Sequence, residues 1–162
     1  MKVFGAPYSI FLPARHAGGG GSGDGAARQN MLSFGTEMGG SGTVTPDCLE
    51  HCFNGVVRVL HKLGVLKQAM APAAEKPTRM MHVPGPDHFT YSPDVGLFEP
   101  VVNLGDEIQK GDLAGRVHFP ETPWQTPTDV HFSANGLVVC KRIPGRVERG
   151  DCLFHLGVDF EE

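Results

Sequence analysis

The chain has 162 residues, a formal net charge of −4 at pH 7, and 40% hydrophobic against 20% charged residues. That balance belongs to a globular chain of one ordinary domain or two small ones, not to a disordered tail, and an acidic chain lacks the basic face that a general nucleic-acid binder uses against phosphates. No apolar run reaches bilayer-spanning length, and Gly5, Pro7 and Ser9 interrupt any signal-peptide core, so a cytoplasmic protein with no membrane association is expected.

Residues 3–12, VFGAPYSIFL, read as a strand that Gly5 and Pro7 bend or confine to an edge. The stretch HAGGGGSGDGAARQN, 16–30, reads as a flexible loop with some helix around Ala26 to Gln29. Its glycines invite a phosphate-loop reading, but no Lys-Ser/Thr pair follows them. MLSFGTE, 31–37, reads as a second strand ending at Glu37, followed by a glycine-rich turn.

The strongest helical pattern spans 46–63. Thr45 suits the N-cap, Pro46 the first helical position, and Asp47 the positive end of the dipole. Leu49, Phe53, Val56, Leu60 and Leu63 recur at helical spacing and predict the buried face, and Gly64 ends the pattern. Glu50, His51, Asn54, Arg58, His61 and Lys62 then fall on the solvated face. Cys48, His51 and Cys52 share that helix at metal-ligand spacing, but no fourth ligand lies nearby in sequence, so they too are read as part of the solvated face. The four cysteines contain no C-x-x-C pair, which excludes zinc-ribbon and thioredoxin-like patterns.

Residues 67–80 form a linker rich in Ala, Pro and charge. From 81 to 160 the pattern is all-β and internally duplicated. SPDVGLFEPVVNLGDEIQKGDLAG (92–115) matches SANGLVVCKRIPGRVERGDCLF (133–154), pairing Gly96-Leu97 with Gly136-Leu137, Gly105 with Gly145, and Gly111-Asp112 with Gly150-Asp151. Two such halves resemble a barrel-sandwich hybrid, the architecture of biotinyl and lipoyl carriers. Carriers modify a lysine in the segment joining the halves, and here that segment, HFPETPWQTPTDVHF (118–132), has no lysine. The carrier function is therefore rejected while the fold resemblance stands.

FGAPYS, then TEMGGSGTVTP, then a helix ending VVRVLHKLGVL, then GLFEPVVNLGDEIQKGDLAGRVHFPE resemble, in order, the succinylglutamate desuccinylase/aspartoacylase family. The finer likeness is to the branch that deacetylates N-acetylated diamino acids such as N-acetyl-2,4-diaminobutyrate. The resemblance implies a truncated zinc-carboxypeptidase-like α/β piece at 1–66, the linker at 67–80, and a barrel-sandwich β domain at 81–160. It implies a zinc-dependent amidohydrolase that deacylates N-acyl amino acids. The glutamate of its T-E-x-G-G segment is a general base and acid, and that position is Glu37. One carboxylate that takes a proton from the attacking water can return it to the departing amine.

Such chemistry needs two histidines and a glutamate on the metal, which the family supplies as H-x-x-E and a later histidine upstream of the base. Only His16 precedes Glu37 here, so the resemblance covers about the C-terminal half of the family and brings no zinc ligands; the chain alone is expected to be inactive. His118, Glu121 and His131 imitate the spacing, but they follow Glu37, lie in the β domain, and have Pro120 among them; they are read as a chance match. Arg28 is either a solvated loop arginine or a bidentate clamp for a substrate carboxylate. Tyr8 either lines the cleft or packs beside the strand. The rival reading is a non-catalytic binding or assembly module derived from the family. It would act as a homo-oligomer or join a partner chain through an open sheet edge.

Overall fold

The structure is a computed structural model and describes residues 1–11 and 21–161. Leu12, at the end of the expected strand, and His16, Ala17 and the glycines at 18–20 lie outside the described residues. The chain divides into two compact units, residues 1–9 with 14–80 and residues 10–13 with 81–162.

Among the described residues the first unit contains two α-helices. Strand β1 is Tyr8–Phe11, shorter than the 3–12 expected. Pro7 has no N–H to contribute to a ladder, and the residues before it make a turn closed by the Gly5 N–H on the Met1 carbonyl. Helix α1, Ser22–Arg28, begins four residues earlier than the helical stretch anticipated around Ala26, and none of its residues is buried. Strand 31–37 is absent. That segment has no regular secondary structure, and the Met31 N–H turns back to the Ala26 carbonyl. Strand formation needs a ladder partner, and among the described residues none lies beside it.

Helix α2, Pro46–Lys62, has the expected ends. Thr45 Oγ1 accepts from the Cys48 N–H at 3.3 Å. At the other end the Gly64 N–H reaches the His61 carbonyl and the Val65 N–H the Leu60 carbonyl, a Schellman closure around the left-handed Gly64. Glu50, His51, His61 and Lys62 are exposed as expected, but the apolar stripe is not the buried face. Gly55 and Val57 are the buried positions, whereas Leu49, Phe53, Val56 and Leu63 are exposed. The reason is the N-terminal segment. Phe4 seats its ring on Gly55, where an added Cβ would come within 2.6 Å of the ring. Arg58, expected in solvent, donates through Nε and Nη2 to the Phe4 carbonyl at 3.1 and 2.6 Å and through Nη1 to the Pro72 carbonyl at 3.0 Å. The guanidinium thus ties the first turn and the linker to α2.

Strand β2 is Arg79–His82. The unit boundary falls inside both β1 and β2. The N–H groups of Arg79 and Val83 donate to the carbonyls of Pro7 and Phe11, so the partners advance together and β1 runs parallel to β2.

The second unit contains, after a one-turn 3-10 helix at Pro86–His88, strands β3 (Phe89–Tyr91), β4 (Gly96–Pro100), β5 (Glu107–Ile108), β6 (Leu113–His118), β7 (Thr128–His131), β8 (Gly136–Lys141), β9 (Arg146–Val147) and β10 (Cys152–Asp159). One sheet runs β1-β2-β10-β8-β5 with β3 also on β10, and the other, antiparallel, runs β7-β6-β4-β9. The duplication in sequence is a duplication in space. β4 pairs with β9 through Gly96↔Val147 and Leu97↔Arg146, and β8 pairs with β5 through Gly136↔Ile108 and Leu137↔Glu107. Each half lends its short strand to the other half's long one. The Gly-Asp turns match as well. Gly111 and Gly150 have φ of 95° and 87°, and Asp112 and Asp151 each accept at 2.8 Å from the N–H three residues back, on Gln109 and Glu148. Between the sheets lies one core of Phe98, Ile108, Ala114, Val117, Val130, Phe132, Val138, Val147, Leu153, Phe154 and Leu156.

Candidate functional site

Glu37 lies on the unpaired segment that precedes α2. Three residues before it, Phe34 packs edge-to-face on Phe4 with ring centroids 5.6 Å apart. Phe4, Phe34, Thr36, Val56, Val59 and Leu60 line an open groove of about 250 Å³ within the first unit. Glu37 follows Thr36 at the edge of this groove; it is exposed, and its carboxylate meets no partner among the described residues. After it, Gly39, Gly40, Ser41 and Gly42 all have positive φ, between 54° and 75°. Thr43 closes this turn by donating both its hydroxyl and its N–H to the Gly40 carbonyl at 2.9 Å. The expectation of a carboxylate fixed at a strand end is therefore corrected. Glu37 hangs between an aromatic anchor and a glycine turn that leads into the Thr45 cap.

Arg28 is exposed in the last turn of α1, and no ion pair joins it to Glu37. Tyr8 is exposed in β1 and is not among the groove-lining residues. Phe34 and Thr36 do line the groove, although their sequence pattern reads as the interior of a strand. Only the T-E pair draws attention to that neighbourhood.

The residues that imitate zinc ligands lie apart. His131 is paired across from Leu113 at the start of β6, while His118 ends that strand five residues on, about 16 Å away at the usual strand rise. His118 Nε2 lies 2.6 Å from Glu99 Oε2, His131 Nδ1 lies 3.0 Å from the Gly111 carbonyl, and Glu121 is in the loop between β6 and β7. On α2, Cys48 and Cys52 are partly buried while His51 is exposed. Burial, and secondarily the neighbouring Cys140, pushes the Cys152 thiol up, away from the thiolate a metal would need. Among the described residues no group of three His, Cys, Asp or Glu side chains gathers to hold a metal ion, so those residues do not by themselves fit a zinc centre. Among them, too, no helix is long and apolar enough to cross a membrane.

No protein-family model matches the sequence. The N-alpha-acetyl-L-2,4-diaminobutyric acid deacetylase of Halomonas elongata is 29% identical over 153 residues, covering 94% of this chain and 44% of that protein. A solved succinylglutamate desuccinylase/aspartoacylase from Rhodobacter sphaeroides superposes with a TM-score of 0.88 at 30% identity, over 99% of this chain and 48% of the other. This chain belongs to the succinylglutamate desuccinylase/aspartoacylase family. The product-bound ectoine utilization protein EutE (DoeB) of Ruegeria pomeroyi also matches, with a TM-score of 0.85 at 30% identity, over 97% of this chain and 47% of that one. The chain thus spans about half the length of the relatives it matches. Its two-helix mixed sheet and its four-stranded antiparallel sheet match half of the desuccinylase/aspartoacylase fold.

Proposed function

We propose that these residues supply the proton-carrying part of a deacylase for N-acyl amino acids, with Glu37 as the general base and acid and Arg28 as the clamp for the substrate carboxylate. In this reading residues 1–66 are the closing piece of a zinc-carboxypeptidase-like α/β domain, 67–80 a linker, and 81–160 a barrel-sandwich β domain. The zinc and its ligands come from polypeptide outside these 162 residues. The finer placement is in the N-acetyl-diaminobutyrate deacetylase branch, which the resemblance to the Halomonas elongata enzyme supports.

The observation that carries the reading is local. A carboxylate that meets no partner among the described residues follows Thr36, which lines an apolar groove, and leads into a run of positive-φ glycines. An unpaired carboxylate can accept a proton from an attacking water and give it to the amine that leaves, which a salt-bridged one does poorly. Arg28 is exposed, and a guanidinium can bind a carboxylate through two parallel N–H bonds.

The test is reconstitution. The chain is combined with the portion of the Halomonas elongata deacetylase that it does not match, and hydrolysis of an N-acetyl amino acid is measured with zinc present. Glu37→Gln keeps the shape and removes the basic site, so turnover should fall about 10²- to 10⁴-fold with metal content unchanged. Glu50→Gln, on exposed α2 surface, should leave turnover within about twofold, well inside the variation that surface substitutions give. Near-normal turnover with Gln at position 37 overturns the assignment. A complete assembly with no hydrolysis at all leaves a binding or assembly module instead.

A further inference from the structure

The first unit carries an apolar strip that its own residues do not cover. On α2 and its C-cap, Leu49, Phe53 and Leu63 are 61, 65 and 71% exposed, and Val56 lies between them on the same stripe. On the preceding segment Met31, Leu32, Phe34 and Met38 are also exposed, Leu32 completely. Phe34 and Val56 line one groove, so helix stripe and segment are continuous. Beyond the Met31 N–H, the main chain of 31–38 makes no hydrogen bond among the described residues.

Two kinds of demand meet in this strip. An amphipathic helix with its apolar stripe in water lacks the layer it should pack on. A seven-residue run with a strand's composition and free N–H and C=O groups lacks a neighbouring strand. One occupant that meets both is another strand-and-helix layer. A second copy of the chain would have to pair the segment with itself about a two-fold axis and bury the helix stripe in the same step. The superposition argues for a different occupant. The chain superposes, over 99% of its length, on 48% of a longer solved chain, and the other half of such a fold is a strand-and-helix layer of the kind this surface lacks.

We infer that residues 31–37 and the Leu49/Phe53/Val56/Leu63 stripe of α2 dock the remaining portion of a desuccinylase/aspartoacylase fold, and that 31–37 becomes a β-strand only when paired with a strand of that portion. The identity of the occupant rests on the deacylase reading; the location of the surface does not. The absence of strand 31–37 is then a property of the uncompleted state, and docking places Glu37 at a strand end.

The experiment co-expresses residues 1–162 with the unmatched portion of the Halomonas elongata deacetylase and follows amide exchange. A one-to-one complex should form, and exchange at 32–37 should slow by on the order of 100-fold as the new strand closes. Phe53→Lys and Leu32→Lys, both at exposed positions, should each weaken the complex at least about tenfold while leaving exchange in 89–159 unchanged. Light scattering of the chain alone is the second arm. A dimer that already protects 32–37 assigns the strip to a second copy and overturns the inference, as does failure to form a complex or a complex in which 32–37 still exchanges freely. Exchange is read whether or not hydrolysis occurs. Protection without hydrolysis therefore sinks only the catalytic reading, and hydrolysis without protection sinks only this one.

Discussion

The two units respond to the same kind of sequence pattern in opposite ways. In the second, alternating apolar positions close on one another, and Val117, Val138, Val147, Leu153, Phe154 and Leu156 are all at most 1% exposed. In the first, Phe4 and Val57 are the buried hydrophobic residues among those described, beside the buried pair Ser9 and Thr78, whose hydroxyls lie 2.9 Å apart. The first unit is not poorer in apolar residues. It exposes Leu32, Leu49, Phe53, Leu63 and Val65, any of which would fill a core.

Duplication explains the difference. Because each half of the second unit pairs its short strand with the other half's long strand, every apolar face produced by one half is answered by the other. Strand pairing and core are completed inside 80 or so residues, which is about the smallest span in which a single core supports itself. The first unit has, among the described residues, one amphipathic helix, one short helix and no second layer. Arg58 and the Phe4–Gly55 contact hold its pieces together, and both are local clamps.

The sharpest way to break this comparison is to empty the second unit's core. Phe154 is fully buried, with ring centroids 5.8 Å from Phe98 and 5.3 Å from Phe132. Phe154→Ala should destabilise residues 89–159 by about 3–5 kcal/mol, read from the urea midpoint. A loss below about 1 kcal/mol would mean that the core can collapse around the gap and is less tightly packed than described.

Gly55→Ala comes next and probes the first unit. Alanine raises helix propensity by about 1 kcal/mol, but its Cβ must displace the Phe4 ring, an overpacking cost of about 1–3 kcal/mol. We expect net destabilisation and faster proteolysis at residues 1–6, with the second unit's urea transition unchanged. A stabilised variant would show that Phe4 is not seated on Gly55.

Much of this was legible before the structure, and what was not shares one cause. The ends of α2 were readable because Thr45, Pro46 and Gly64 act on their own neighbours. The Gly-Asp turns were readable because Gly111 and Gly150 answer to local backbone geometry. Which face of α2 is buried was not, since periodicity identifies an apolar stripe without saying what will cover it. Strand 31–37 failed for the same reason, since a strand's pattern makes no strand without a ladder partner and none lies beside it among the described residues. Glu37 was singled out from neighbouring sequence words rather than from spacing, and the groove that Thr36 lines depends on the contact between Phe4 and Phe34, thirty residues apart. Arg58 was misread because a lone arginine among polar residues gives no sign that two carbonyls wait for it.

A smaller effect tests the local part of that account. Thr45 Oγ1 accepts a single 3.3 Å bond at the start of an exposed helix, so Thr45→Ala should cost about 1 kcal/mol, read as lost helicity of the full chain in far-UV dichroism. An unchanged signal would place the helix's start under the control of Pro46 and Asp47 instead.

The smallest expected effect is the most informative about the division between the units. Phe53→Ser removes a ring of the same kind as Phe154, from a helix rather than a strand, at a position 65% exposed. In the isolated chain the ring has little to lose, because solvent already surrounds most of it, so stability should change by no more than about 0.5 kcal/mol. Serine is also a slightly weaker helix former, which puts the expected sign on the destabilising side by a few tenths of a kcal/mol. Should Phe53→Ser instead cost 2 kcal/mol or more, on the order of what a core side chain loses, the ring is covered in the isolated chain in solution. The first unit would then be self-sufficient, and the contrast with the duplicated half would fail.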